Sequence, residues 1–430
     1  MSLKSLIPRL VTSQKLLQLQ RRLASGRRRL SGARPVVHYF HQVDDPHAAL
    51  AARALVHLET RYGVEVRPCL VSPPADAAAP DRVRLRSWGL DDAALLARGL
   101  GLDPTFTTLP APDQVAAAEA ALAGCTTATA FQQTMAAIEA SWRGEPGAVL
   151  PPSTGDAAAA RARGDALRQR LGHYLGGTFH FEGEWTWGLD RLPCLEQRLA
   201  SLNPAASPFV PRLEVTGARC RVRPGTRIEA FVSLRSPYTY IAVPRLTALA
   251  EATGAELVLR PVLPMVMRGL PVPLAKRLYI IRDTAREARR LGLPFGAIAD
   301  PVGRPAERGL AVLCAAIGEG SGPAFLLSFL QGVFAEGVDA GTDAGLSALC
   351  ARAGVSQATL QAALADDSWR AITDANRADM LAAGIWGVPS FRVVTGDTPA
   401  TPGTTGTPGP TVWGQDRLWA VEQALLAAAD

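Results

Sequence analysis

The chain contains 430 residues, of which 48% are hydrophobic and 20% charged, which is enough for two or more globular cores. This composition excludes an intrinsically disordered protein, a collagen-like fibre and a minimal disulfide scaffold. No segment approaches the roughly 20 uninterrupted apolar residues of a membrane-spanning helix, and the first 30 residues are too basic for a secretory signal. We therefore expect a cytoplasmic protein.

The net charge of +6 is concentrated at the N-terminus, where residues 1–34 contain nine Lys and Arg and no acidic residue. The remaining chain carries 36 basic and 39 acidic side chains, and this near-neutral body argues against a nucleic-acid partner. Residues 1–34 form a basic leader or tail, within which residues 3–30 have the composition of a basic amphipathic helix suited to an anionic membrane surface, which would make the protein peripheral to the membrane. A solvated, partly disordered tail is the stronger interpretation of these residues, and an organelle-targeting leader is a third one. Apolar positions of the helix include Leu6, Leu10, Leu16, Leu17 and Leu19.

In chain order, the elements predicted after the leader form a β-α-β unit: a buried strand at 36–40, a helix at 48–62 and a second strand at 64–71. Two strands joined through a helix pair in parallel with a right-handed crossover. A helical tract follows over about 87–171. A hairpin and a last helix, within 178–199, then close the first half.

The second half repeats this order after a linker at 205–226. A strand at 228–234, a helix at 238–253 and a strand at 255–262 precede a helical tract over 276–380. A Gly-Thr-Pro-rich loop at 395–410 separates the two last strands.

A repeated segment relates the two halves. Residues 187–192 and 413–418, with the pattern Trp-Gly-x-Asp-Arg-Leu, agree at five of six positions, 226 residues apart. A Glu-Gln pair follows each copy at the same distance, at Glu196 and Glu422. We infer two related α/β domains in tandem, at 35–204 and 227–430, each with a helical insertion between its β-α-β and β-β-α halves. The Asp of each copy is a candidate N-cap of the last helix.

Metal and dithiol sites are not predicted. The six cysteines are far apart and include no C-x-x-C pair, so we expect small buried side chains in a reducing compartment. The six histidines show no H-x-x-x-H spacing. His41 and His47 flank a turn, where capping or surface roles are favoured over acid–base roles.

The segment after the strand at 228–234 carries a candidate catalytic group. Ser236 is a favoured N-cap and Pro237 a favoured first helical residue, so the Ser236 hydroxyl is expected at a helix N-terminus. Backbone N–H groups and the helix dipole stabilise an anion there, including a thiolate. From this observation alone, a purely capping role is the stronger interpretation.

A second candidate feature is residues 387–391, which place Pro389 just before a strand. A cis peptide bond at that proline would turn the backbone of Val388 outward, where an extended peptide-like ligand can pair with it. The sequence leaves the cis and trans forms both open.

Several motifs of the second domain occur in the order typical of one family. They are Ser-Pro-Tyr-Thr-Tyr from Ser236, Lys276-x-x-Tyr279, Gly-Leu-Pro-Phe from Gly292, Gly-Val-Pro-Ser-Phe from Gly387 and Trp-Gly-Gln-Asp-Arg-Leu from Trp413. By these motifs the domain resembles the 2-hydroxychromene-2-carboxylate isomerases and kappa-class glutathione transferases, in the DsbA-like branch of the thioredoxin fold. The resemblance implies two tandem thioredoxin-fold (DsbA-like) domains.

The resemblance also implies a glutathione site, in which Ser236 replaces the redox cysteine of the fold and hydrogen-bonds the glutathione sulfur. The backbone of Val388, beside a cis Pro389, would hold the cysteinyl part, and residues 415–417 would meet the glutamyl end. The full set implied for the cofactor is Ser236, Pro237, Tyr238, Val388, Pro389, Gln415, Asp416 and Arg417.

The implied reaction is a glutathione-dependent isomerisation or transfer on a small-molecule electrophile, an unsaturated aromatic-derived carboxylate. Substrate candidates are Arg268, Lys276 and Tyr279, and Lys276 is the best of them because its position matches the family pattern. Arg235 and Arg282 are on elements that can also reach the cleft.

The first domain departs from this pattern, because Asp45-Pro46-His47 takes the place of the serine motif and no proline aligns with Pro389. We expect a diverged structural or regulatory partner that packs on the second domain as an intramolecular pseudo-dimer. Two other functions stay open: a noncatalytic binding or scaffold protein, and a thiol-disulfide oxidoreductase, which the lack of C-x-x-C disfavours.

Overall fold

The computed structural model describes residues 3–396 and 407–429. The chain divides into two compact units. The first unit contains Lys15–Leu213 and Pro273–Tyr279, and the second contains Glu214–Val272, the chain from Ile280 onward and the N-terminal residues up to Gln14. The linker predicted at 205–226 is therefore shared between the units, with the division after Leu213.

The N-terminal segment forms two helices, α1 (Leu3–Thr12) and α2 (Gln14–Ser31), where one was predicted. The break lies at Ser13, whose backbone N–H bonds to the carbonyl of Leu10 three residues back and ends the regular pattern. Residues on the two sides of this break belong to different units.

The rest of the first unit follows the predicted order of elements. They are β1 (Val36–His41), α3 (Pro46–Ala52), α4 (Leu55–Tyr62), β2 (Glu65–Leu70), α5 (Arg82–Gly99), α6 (Pro112–Leu122), α7 (Ala128–Trp142), α8 (Ala157–Arg170), β3 (Thr178–Phe181), β4 (Glu184–Trp187) and α9 (Gly188–Leu199). The four strands form one sheet in the order β2-β1-β3-β4, in which β1 and β2 are parallel and the other pairs antiparallel. Helices α5–α8 are the insertion between the two halves of the sheet.

The helix predicted at 48–62 is divided into α3 and α4. The backbone N–H groups of Arg53 and Ala54 bond to carbonyls three residues back, at Leu50 and Ala51, and form a tight turn between the two helices.

The core of the first unit lies on the face of the sheet towards which Val37 and Tyr39 point. The ring of Tyr39 is 4.9 Å from that of Phe179 and 6.2 Å from that of Phe131, and all three are fully buried. Alternate residues of a strand point to opposite faces, so Phe40 packs instead against Trp185 on the other face.

The second unit follows the same plan, in which a β-α-β unit, a helical insertion, the closing strands and a last helix succeed one another. Its elements are β5 (Arg227–Val232), α10 (Pro237–Thr253), β6 (Glu256–Pro261), α11 (Leu274–Arg290), α12 (Arg304–Gly318), α13 (Gly322–Gln331), α14 (Asp343–Arg352), α15 (Gln357–Ala365), α16 (Trp369–Ala382), β7 (Ser390–Thr395), β8 (Thr407–Pro408), β9 (Val412–Trp413) and α17 (Leu418–Ala427). Helix α11 begins in the first unit and ends in the second.

The sheet of the second unit has the order β6-β5-β7-β8, with β9 also paired to β7. β5 and β6 are parallel and β7 runs antiparallel to β5, as in the first unit. Most of the loop predicted at 395–410 lies outside the described residues. Within the described part of the chain, no helix combines the length and the apolar content that a membrane crossing requires.

Neither aspartate of the repeated segment is the N-cap residue of a last helix, so that prediction is wrong. Trp187 is the N-cap of α9 and Asp190 lies inside its first turn, while Asp416 lies in a short 3-10 turn before α17. Gly188 and Gly414, with φ of 60° and 107°, allow the chain to turn upstream of each aspartate.

Candidate active site

Ser236 lies at the junction of β5 and α10. Its Oγ accepts a 3.1 Å hydrogen bond from the backbone N–H of Thr239, which confirms the predicted N-cap. The same hydroxyl donates to the carbonyl oxygen of Val388 at 3.4 Å, across 152 residues of chain. The structure thus brings together the two features on which the sequence argument depended, Ser236 and the segment 387–391.

The peptide bond between Val388 and Pro389 is cis. The Pro389 carbonyl accepts a 2.9 Å bond from the N–H of Gly414, so the second copy of the repeated segment supports this turn. A Cβ on Gly387 would lie 1.9 Å from Cζ2 of Trp413, which makes glycine obligatory there. The sequence analysis singled out Trp413 as part of the repeated segment, but it did not predict that its ring packs against Gly387.

Tyr238 is anchored to α11. Its hydroxyl donates a 2.8 Å hydrogen bond to Oδ2 of Asp283, a buried carboxylate that also accepts from Arg286 at 2.6 Å. Pro237 is the first residue of α10. The motif after Ser236 therefore fixes the start of the helix to a neighbouring element.

Residues 415–417 are mostly interior. Gln415 and Arg417 are 1% and 2% exposed, and Asp416 is half-buried. The Arg245 guanidinium on α10 donates to Oε1 of Gln415, whose amide nitrogen donates to Oδ1 of Asp416. Burial lowers the pKa of Arg245, and the negative charge of Asp416 partly offsets this by raising the pKa. Of these three predicted ligand contacts, Asp416 offers the most surface.

Arg268 lies beside the turn that contains Val388. Its Nη2 donates to the carbonyl of Trp386 at 3.4 Å, and its Nε is buried with no hydrogen-bond partner among the described residues. Burial, with a smaller effect of Arg377, lowers the pKa of Arg268 to about 10, at which it is still cationic at neutral pH. An incompletely bonded buried cation favours an anionic ligand.

Residues 227–426 match the family model described as the DSBA-like thioredoxin domain. This region is a DsbA-like thioredoxin domain. No curated protein matches the sequence.

Solved structures similar to the chain include a 2-hydroxychromene-2-carboxylate isomerase, 20% identical, with 46% of this chain and 94% of that chain covered and a TM-score of 0.36. The cytosolic disulfide reductase DsbM from Pseudomonas aeruginosa is 21% identical, with coverages of 47% and 100% and a TM-score of 0.37. The same reductase with GSH gives 21% identity, coverages of 47% and 99%, and a TM-score of 0.33. At these values the similarities assign no activity to this chain.

Two substrate candidates are not part of the compact unit that holds the DsbA-like site. Lys276 and Tyr279 belong to the first unit, where Lys276 Nζ donates to the carbonyl of Ala78 at 2.8 Å and the Tyr279 ring lies 4.8 Å from that of His173. Burial lowers the pKa of Lys276. The family pattern placed these residues correctly on a helix but does not encode what their side chains contact.

The other basic candidates differ in their environment. Arg235, next to Ser236, forms two hydrogen bonds of 2.6 and 2.7 Å with the carboxylate of Asp300. Arg282 is exposed on α11. Arg268 is therefore the candidate cation that the structure brings to the turn at Val388.

The first unit has the corresponding positions without the corresponding groups. Asp45 caps α3 and accepts a 3.0 Å bond from the N–H of His47. The N–H of Gly188 bonds to the carbonyl of Gly177 at 2.8 Å, as that of Gly414 does to Pro389 in the DsbA-like domain. Burial raises the pKa of Asp45. A carboxyl group and a glycine thus replace the serine and the cis-proline.

The two histidines near this turn are buried, which corrects the expectation of capping or surface roles. Burial lowers the pKa of His41 to about 3, so it is neutral, and its Nδ1 lies 2.9 Å from the Tyr39 hydroxyl. His47 Nε2 lies 3.2 Å from Oδ2 of Asp92, and both side chains are 3% exposed.

The described residues include no group of three metal-ligating side chains. The cysteines are free thiols, and only Cys350 is fully buried while the others are half-buried. Burial raises the pKa of Cys69 and Cys350 to about 11 and that of Cys314 to about 12, so these three are protonated at neutral pH and are poor nucleophiles.

Proposed function

We propose that the DsbA-like domain binds glutathione and catalyses an isomerisation or transfer on a small, unsaturated, aromatic-derived carboxylate. The observation that carries this proposal is the position of the Ser236 hydroxyl, which is at the N-terminus of α10 and 3.4 Å from the carbonyl of Val388. A thiol-containing peptide that pairs with the Val388 backbone would bring its sulfur next to this hydroxyl.

The residues present fit such a ligand. The N–H of Thr239 donates to Ser236 Oγ, and a hydroxyl that accepts a hydrogen bond becomes a stronger donor. The hydroxyl and the helix dipole together favour a thiolate over a thiol. Arg268, with its unpartnered buried Nε, suits a carboxylate of the substrate or the peptide.

Each residue has a defined task in this proposal. Bound glutathione would supply the nucleophilic thiolate that the reaction requires. Ser236 would stabilise the sulfur anion by hydrogen bonding, the Val388 backbone would orient the peptide, and Arg268 would hold the anionic substrate. A disulfide exchange would need a protein thiolate, and serine occupies the position where that group would be.

Calorimetric titration of reduced glutathione into the full-length protein tests the proposal. We expect about one equivalent to bind, with affinity at least tenfold weaker in Ser236→Ala and weaker also in Asp416→Ala. The matched control is Ser356→Ala, because Ser356 caps α15 through the same type of hydrogen bond, to the N–H of Thr359 at 3.0 Å. Absence of binding at millimolar glutathione, or equal losses in Ser236→Ala and Ser356→Ala, would contradict the proposal.

We further propose that the first unit is a diverged thioredoxin-fold copy without this activity. The shared strand order and the matching bonds of Gly188 and Gly414 support a common origin. Asp45 would repel a thiolate at the place of Ser236. A cytoplasmic location is part of the same proposal. A stoichiometry of two glutathiones per chain would contradict the assignment of one competent site.

A further inference from the structure

Helix α2 has one face attached to the first unit and an opposite face that is exposed. The attached residues are Arg21, Ser25 and Arg28, which recur at helical spacing. Arg21 forms hydrogen bonds of 2.7 and 2.6 Å with both carboxylate oxygens of Glu184. Arg28 pairs with Glu182, and Ser25 Oγ lies 3.5 Å from the same carboxylate.

The acceptors of these bonds are held rigidly. Glu182 and Gly183 form the two-residue turn between β3 and β4, with φ of 46° and 88°, a geometry typical of tight hairpins. Arg198 on α9 donates to Glu182 at 2.6 Å and adds a second cation to that carboxylate. These contacts fix the rotation of α2 about its own axis.

The exposed face carries a row of four leucines, which we call the leucine row. They are Leu16, Leu19, Leu23 and Leu30, with exposed fractions of 38%, 51%, 52% and 91%. Leu19 and Leu23 are each two residues from Arg21, and Leu30 is two residues from Arg28. A separation of two residues corresponds to a rotation of about 200° around the helix axis. The leucine row therefore points away from the hairpin.

Basic residues border the leucine row on both sides. Lys15, Arg22 and Arg29 each precede a leucine of the row, and Arg27 lies along its other edge. All four are exposed, and the described residues include no ion-pair partner for them. Single exposed leucines are common and need no explanation. An aligned row of leucines, bordered by cations on a helix without any acidic residue, is instead typical of an interaction surface.

We infer that the exposed face of α2 binds the surface of an anionic lipid bilayer. Leucines that enter the headgroup boundary remove apolar surface from water, while the bordering cations neutralise lipid phosphates and carboxylates. Charge distinguishes this occupant from a second copy of the chain, because two such faces would place their cations against each other. The inference is independent of the glutathione site.

Co-sedimentation of the full-length protein with vesicles tests the inference. We expect binding to phosphatidylcholine vesicles that contain about 30% phosphatidylserine, much weaker binding to pure phosphatidylcholine, and loss at high salt because the attraction is screened. The variant Leu19→Ser/Leu23→Ser should bind at least tenfold more weakly. Both leucines are exposed, so its circular dichroism spectrum should be unchanged.

Two further variants make the outcome decisive. Leu426→Ser replaces a leucine of α17 that is 41% exposed, and it should bind vesicles as the unmodified protein does. Arg22→Gln/Arg27→Gln should lose binding to anionic vesicles in proportion to the charge removed. Failure of the unmodified protein to bind anionic vesicles, or equal binding by the leucine variant, would overturn the inference. A dimer in light scattering that the leucine variant loses, without vesicle binding, would assign the row to a second copy and likewise overturn it.

Discussion

Glu196 and Glu422 occupy the same position of the repeated segment, and each carboxylate binds backbone N–H groups of the chain between the two sheets. Glu196 accepts from the N–H of Phe209 at 2.8 Å, and Glu422 accepts from those of residues 216–218 at 2.8, 2.9 and 3.2 Å. The two carboxylates are 3% and 2% exposed. The segment predicted as a linker is thus tied to each unit by the same residue of the repeat.

Glu196 should make stability depend on pH. Burial raises the pKa of Glu196 from its ordinary 4.5 to about 7, so the folded protein holds this proton more tightly than the unfolded chain. The free energy of unfolding should therefore fall as the pH rises from about 4.5 to 7, by about 3 kcal/mol at most, and then level off. Glu196→Gln cannot ionise and should exceed the unmodified protein in urea resistance at pH 8 but not at pH 5. Identical pH dependence in both proteins would contradict this expectation.

Glu422→Gln is the contrasting substitution. The amide nitrogen of Gln would face backbone N–H groups that now donate to a carboxylate on both oxygens, because Thr216 bonds to Oε2 and Gly217 to Oε1. The variant should lose about 1–3 kcal/mol of unfolding free energy. Urea unfolding measures this loss, and a gain in stability would show that these bonds contribute little.

Gly387→Ala should disrupt the turn beside Ser236. The added Cβ would overlap the Trp413 ring at 1.9 Å, and overpacking of this kind costs about 1–3 kcal/mol. We expect a lower melting temperature and loss of glutathione binding. Gly318→Ala is the control, because nothing lies within 4 Å of a Cβ there, and it should leave both properties unchanged. Normal glutathione binding by Gly387→Ala would show that this turn does not contribute to the glutathione site.

Ser236→Ala should raise the pKa of the bound thiol of glutathione by about one unit, since a hydrogen bond to the anion is worth about 1.4 kcal/mol. The ultraviolet absorbance of the thiolate, followed against pH at saturating glutathione, measures this shift. The substitution also removes an N-cap and should cost about 1 kcal/mol of stability. Ser356→Ala should show the loss of stability alone, and an unchanged thiol pKa in Ser236→Ala would remove the serine from the mechanism.

Glu182→Ala should release α2 from the hairpin, because it removes the acceptor shared by Arg28 and Arg198. Limited trypsin digestion should cleave after Arg27 and Arg29 several-fold faster than in the unmodified protein. The control is Glu65→Ala, whose pair with Arg67 is exposed and worth little. Equal cleavage rates in the two variants would show that the ion pair does not hold the helix.

Much of the architecture could be read from the sequence because its signals are local. The β-α-β openings follow from strand and helix patterns, and the cap at Ser236 follows from a side chain that bonds an N–H group three residues away. The repeat of 226 residues predicted the common strand order that both sheets have. These features need no knowledge of distant contacts.

Local sequence patterns did not predict the environments of the side chains at the site. The sequence predicted a ligand role for Gln415 and Arg417 and did not predict that packing buries both of them. It also grouped Lys276 with Ser236, whereas the ammonium group bonds to a carbonyl of the first unit. Burial and partner choice depend on which residues meet across the fold, and motif spacing carries no such information.

The same division of information applies to α2. Spacing in the sequence indicated an amphipathic helix that carries leucines and cations, because the helical repeat places residues three and four apart on one side. The tertiary structure decided which side is exposed, since Glu182 and Glu184 bind Arg21 and Arg28 and turn the leucine row outward. These two carboxylates are more than 150 residues away from α2 in the chain, so only the tertiary structure brings them next to the helix and sets its orientation.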